Sequence, residues 1–66
     1  MTDKRNYAKE WKALRLKCDM SQTTFAEAVG TGMRTIQGIE LGEHKPNFIN
    51  RVRFKNFKKK IEQAVQ

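Results

Sequence analysis

The sequence predicts an all-α fold, a small helical domain of four to five helices. Three observations point there. In the first and last thirds of the chain, apolar residues recur at spacings of three and four, as they do along one face of a helix. The middle third holds short apolar segments divided by Gly30, Gly32 and Gly42, residues suited to turns and helix stops. The chain is 66 residues long, enough for one thin core, so 1–66 reads as a single domain.

Residues 1–5 read as a basic arm, either solvated or laid against phosphate. A first helix is expected over 6–18. Asn6 is its candidate N-cap, and Tyr7, Trp11, Leu14 and Cys18 share its inner face. Cys18 reads as a small buried hydrophobe, not as a reactive thiol. Residues 19–22 break this helix and open a second over 22–29, with Ser21 as N-cap and Phe25, Ala26, Ala28 and Val29 turned inward. Gly30 is expected in a left-handed turn.

A third helix is expected over 33–41, with Ile36 and Ile39 in the core and Glu40 beside them. Gly42 stops it, and Lys45-Pro46 imposes extended backbone. Gly38 inside this helix costs about 1 kcal/mol relative to alanine. That cost is intelligible on an exposed face that something must approach closely.

Residues 47–66 contain neither glycine nor proline. Phe54, Phe57, Ile61, Ala64 and Val65 recur at i, i+3, i+7, i+10 and i+11, a helical stripe. Phe48, Ile49 and Val52 form a short turn before it or begin one long helix, and Asn50 is the candidate cap of the longer piece. The alternation over 49–54 also fits a strand. No hairpin turn signal accompanies it, so helix is the preferred reading.

Charge narrows the function. The net charge is +7, which suits a polyanionic partner. Residues 1–19 carry six Lys/Arg against three acids, residues 20–44 carry Arg34 alone against three acids, and residues 45–60 carry seven Lys/Arg and no acid. A nearly neutral centre is thus flanked by basic segments, with Lys55, Lys58, Lys59 and Lys60 as a solvated face that also suits phosphates. A single cysteine and a single histidine leave no internal disulfide and no expected metal site. No paired carboxylates, nucleophile–base set or glycine-rich phosphate loop is evident, so neither catalytic residues nor a cofactor is expected. No apolar run reaches the roughly 18 residues of a membrane span, and the N-terminus lacks a signal-peptide core. The expected location is the cytoplasm, with nucleoid association when bound.

The run LRLKCDMSQTTFAEAVGTGMRTIQGIELGEHKP, residues 14–46, resembles the helix-turn-helix domain of the phage repressor and Cro family. Ser21-Gln22, Phe25-Ala26, Val29-Gly30, Thr35-Ile36, Ile39-Glu40, Gly42 and Pro46 fall where that family has its usual residues. The last twenty residues depart from its usual fourth and fifth helices. The resemblance implies a lambda-repressor-like fold with a helix-turn-helix core over 21–41 and a basic helical segment over 47–66. It also implies that the third helix enters the major groove of double-stranded DNA.

On this resemblance Met33, Arg34, Gln37 and Gly38 face base edges. Arginine pairs with guanine, glutamine with adenine, and methionine meets a thymine methyl. Gly38 marks either close backbone approach or a position without readout. Gln22, Thr35, His44 and Lys45 match phosphate-contacting positions. Arg15 and Glu40 match a partly buried ion pair between the first and third helices. The implied function is a Cro-like transcriptional repressor from a phage or prophage, binding a palindromic operator as a homodimer. The small size favours this over a two-domain repressor. The alternative is an antitoxin-type protein whose C-terminal segment binds a toxin. Packing of the Phe54–Val65 stripe on the core favours the first reading, and its exposure the second.

Overall fold

The computed structural model describes residues 4–64. α1 spans Lys4–Lys17, α2 Gln22–Val29, α3 Met33–Glu40 and α4 Phe48–Ala64. Among the described residues the count is therefore four helices, and the strand alternative at 49–54 is replaced by helix.

Four expected details are corrected. Asn6 does not cap α1, because the helix already includes Lys4 and Arg5. Those two residues are thus no arm, and residues 1–3 of the expected arm lie outside the described residues. Asn50 does not cap α4. Asn47 does, its Oδ1 accepting from the Asn50 amide at 2.8 Å, because it supplies the first side-chain acceptor after the extended Lys45-Pro46 loop. Ala28 is exposed, and the inner face of α2 is made by Phe25, Ala26 and Val29.

The joints are local. α1 ends with Asp19 in a left-handed conformation (φ 57°), which Asp tolerates better than most residues. The Met20 amide then donates to the Arg15 carbonyl at 3.1 Å. Ser21 caps α2, its Oγ accepting from the Thr24 amide at 3.1 Å. Gly30 (φ 95°) closes the same helix, and the amides of Gly30 and Thr31 both reach the Ala26 carbonyl at 2.9 Å. Arg53 of α4 donates to the Gly30 carbonyl, so α4 reinforces the turn between α2 and α3.

The core consists of Trp11, Leu14, Phe25, Ala26, Val29, Ile36, Ile39 and Phe54, with Tyr7, Cys18, Met20 and Phe57 packed against it. Trp11 stacks on Phe54 at 4.4 Å between centroids and meets Phe25 edge-on at 6.3 Å. Phe57 adds an edge contact to Phe25 at 5.7 Å. The stripe of α4 thus turns toward the core through Phe54 and Phe57, while Ile61 is half-buried, Ala64 is exposed and Val65 lies outside the described residues. Phe48, Ile49 and Val52 occupy the other side of α4 and are solvent-exposed, Phe48 at 70% and Ile49 at 57%.

α1 and α3 are joined by charge as well as by packing. Arg15 Nε donates to Glu40 Oε2 at 2.8 Å, and a terminal guanidinium nitrogen donates to Oε1 at 3.1 Å. The other terminal nitrogen donates to the Met20 carbonyl at 3.0 Å. The two side chains are 13% and 6% exposed, so water screens this bidentate pair weakly. Lys58 and Glu10, by contrast, approach only to 3.9 Å on the surface and contribute little.

Two stability predictions result. Phe54→Ala removes a ring from the aromatic cluster at a cost of about 3–5 kcal/mol. A chain of this size has comparable total stability, at roughly 0.05–0.15 kcal/mol per residue. The variant should lose its cooperative melt by circular dichroism, whereas Val52→Ala should keep it. A normal melt for Phe54→Ala would remove α4 from the core. Glu40→Ala strands the guanidinium and should cost about 3–5 kcal/mol. Arg15→Met with Glu40→Met should cost less than the single change in urea titration, and a larger loss in the double variant would contradict the desolvation argument.

Candidate nucleic-acid interface

α3 turns one face to the core and the other to solvent. At about 100° per residue, Ile36 and Ile39 point inward, and Arg34, Gly38 and Leu41 fall on the opposite side, with Met33 and Gln37 along one edge. Met33, Arg34 and Leu41 are exposed and Gln37 is half-buried. The Arg34 side chain has no hydrogen-bond or ion-pair partner among the described residues. Met33 is steadied from α2, where Thr23 Oγ1 donates to its sulfur at 3.0 Å.

Gly32 precedes α3 in extended conformation and supplies no side-chain hydrogen bond to the first turn. Among the described residues no side chain accepts from the amides at this end, the condition in which a helix N-terminus attracts an anion. Thr35 lies in the same turn, half-buried.

A polar chain crosses between α2 and α3. Gln37 Nε2 donates to Gln22 Oε1 at 3.5 Å, and Gln22 Nε2 donates to Glu40 Oε1 at 3.3 Å. Glu40 is held in turn by Arg15. Four of the residues singled out in the sequence therefore form one connected system. Its members are far apart in the chain, and spacing alone gave no sign of the connection between Gln22 and Glu40.

The end of the helix differs from expectation. Gly38 lies on the outer side by helical phase, yet it is buried. The cover is His44, an exposed loop residue. A Cβ built on Gly38 would come within 2.2 Å of His44 Cδ2. The amides of Glu43 and His44 both donate to the Gly38 carbonyl, at 2.9 and 3.3 Å. The loop turns at Gly42 (φ 78°) and is anchored by buried Pro46. Gly38 therefore presents no surface of its own, because the loop that follows folds back over it. Lys45 is exposed in this loop.

Sequence reasoning also passed over Leu41. It is 72% exposed and lies two turns from Arg34 on the same side, a phase that the spacing of seven would have revealed. Among the described residues no three His, Cys, Asp or Glu side chains converge as metal ligands, and no helix is long and apolar enough to cross a membrane.

The face thus combines an arginine unpaired among the described residues, a half-buried amide chain and a helix end without a side-chain cap on an eight-residue helix packed against α1 and α2. A helix-turn-helix family model matches residues 12–50, more than half of the chain and the whole of α2 and α3. Comparison with curated proteins and with solved structures gives no match. With the pair of helices, the turn and the family match in agreement, the chain belongs to the Cro/repressor-type helix-turn-helix family, a family of DNA-binding transcription regulators.

Proposed function

We propose that the protein is a Cro-like repressor of phage or prophage type that binds a palindromic operator as a homodimer. The observation that carries the reading is the solvent face of α3, where Arg34 has no hydrogen-bond or ion-pair partner among the described residues; of the three acids of the central stretch, exposed Glu43 lies in the loop beyond the helix. Glu40 is neutralised by Arg15, and Glu27 belongs to α2. An arginine in this position pairs naturally with guanine O6 and N7. Met33 and Gln37 beside it suit a thymine methyl and an adenine edge. Gln22, Thr35 and Lys45 are assigned to phosphates, supported by the uncapped first turn of α3.

Basic flanks complete the electrostatics. They attract the phosphate backbone without sequence preference, and the few side chains of α3 supply the discrimination. The inward packing of Phe54 and Phe57 favours a regulator over a toxin-binding antitoxin, because that part of the stripe is engaged within its own chain. A dimer needs a second apolar surface. Phe48, Ile49 and Val52 on the outer side of α4 supply candidates for it, and two reading helices would then meet half-sites about one helical turn apart.

Selection of bound fragments from random DNA, at stated salt, tests the reading. A two-fold symmetric enriched site is expected, whereas absence of any enriched sequence would count against sequence-specific binding. Arg34→Ala should lose about 1–3 kcal/mol of discrimination at one base pair of each half-site, with its melting curve unchanged. Unchanged preference would exclude Arg34 as a reading group. Lys45→Ala should weaken binding to every sequence and reduce the slope of log K against log salt by about 1 per protomer, as measured by anisotropy across a salt series. A slope identical to that of the parent protein would take Lys45 off the phosphates.

A further inference from the structure

Gly38 and His44 together hold an assignment that neither suggests alone. Gly38 follows Arg34 by four residues, so both lie on the outer side of α3, one above the other. A side chain at this position would extend the row begun by Arg34. Gly38 has none, and the imidazole of His44 fills the space. A Cβ on Gly38 would lie 2.2 Å from His44 Cδ2, 3.0 Å from Nε2 and 3.2 Å from Cγ. The first of these distances is a collision, so any larger residue at 38 displaces the ring.

The ring is carried there by the backbone. Both the Glu43 and His44 amides bond to the Gly38 carbonyl, Gly42 turns the chain with positive φ, and buried Pro46 fixes the far end of the loop. Yet His44 remains exposed overall. It covers the helix on one side and faces solvent on the other.

We infer that His44 is a base-reading side chain of the third helix, supplied from the following loop through the gap left by Gly38. This rests on the reading of α3 as the groove-facing helix. It changes the role of His44 from holding phosphate to contributing to sequence choice. Chemically, an imidazole N–H donates to an acceptor on a base edge, such as a purine N7 or guanine O6. The geometry also sets the register. Four residues along a helix advance about 6 Å, and successive base pairs of a strand are about 3.4 Å apart. The position read by His44 therefore lies one to two base pairs from that read by Arg34.

The test compares enriched sequences from random DNA for the parent protein, His44→Ala, Gly38→Ala and the double variant, with melting curves for each. His44→Ala should flatten the base preference at one position per half-site, within two base pairs of the position flattened by Arg34→Ala. Gly38→Ala should produce the same change by displacing the ring, and the double variant should be no worse than either alone. The expected loss at that position is about fivefold or more. Weaker binding to all sequences with an unaltered preference would make His44 a phosphate contact and overturn the inference. A lowered melting temperature with an unaltered preference would make it a structural cover only, and would overturn it too. If the parent protein itself enriches no sequence, the groove reading of α3 fails and this assignment falls with it. An unaltered His44→Ala motif against a clear parental motif defeats this assignment alone.

Discussion

Trp11 lies face to face with Phe54 at 4.4 Å and edge-on to Phe25. Through this one side chain of α1 the rings of α2 and α4 are brought to a common centre. A chain of 66 residues has few side chains to spend on a core, and large rings bury more apolar surface per residue than aliphatic side chains do. With α1, α2 and α4 gathered on one centre, α3 is left to pack by a single face. Ile36 and Ile39 are fully buried beneath it, and its remaining side is committed to nothing in the interior. The freedom of the reading face is a consequence of where the aromatic rings went.

Hydrophobic packing sets the distance of α3 from the core but resists sliding and rotation poorly, because it is non-directional. Direction comes from the bidentate Arg15–Glu40 pair, whose planar fork accepts one orientation of the carboxylate. The same carboxylate accepts from Gln22, which accepts in turn from Gln37. A residue assigned to phosphate and a residue assigned to a base are thus tied to one partly buried anion. In the proposed complex this connection makes position on the backbone and position in the groove interdependent, since neither amide can turn without altering the other's hydrogen bond. The pair also removes the charge of Glu40 from the field near the DNA-facing side, which would otherwise repel phosphate.

Much of this was legible in the sequence, and the exceptions share a cause. The limits of α2 and the stop after α3 were readable because Ser21, Gly30 and Gly42 act on their immediate neighbours. The inward positions Trp11, Leu14, Phe25, Ile36, Ile39 and Phe54 followed from helical periodicity. The start of α1 was misplaced because Asn6 is a capable cap in isolation, and nothing near it shows that the helix has already begun. Asn50 and Asn47 are the same residue three positions apart, and the choice between them depends on where the loop after Pro46 releases the chain. The Gln22–Glu40 contact and the Arg53 cap on Gly30 link residues 18 and 23 positions apart, beyond the reach of local patterns.

Gly38 shows the same limit most sharply. Periodicity placed it correctly on the outer side of α3, and its low helix propensity correctly implied that something approaches there. What periodicity could not supply was the identity of the visitor, because His44 belongs to a loop whose path is set by Gly42 and Pro46. In a helix, a side chain's direction is bound to its own Cα, so a substitution at 34 or 37 changes chemistry but not placement. A group delivered from a loop obeys a different constraint. It needs a bare helix surface beneath it and a turn that returns the chain, and it gains a direction of approach that no residue of the helix has. Gly38 therefore marks occupation of the outer face of α3 by a residue from outside the helix, and the apparent gap in the row after Arg34 is the condition for that occupation.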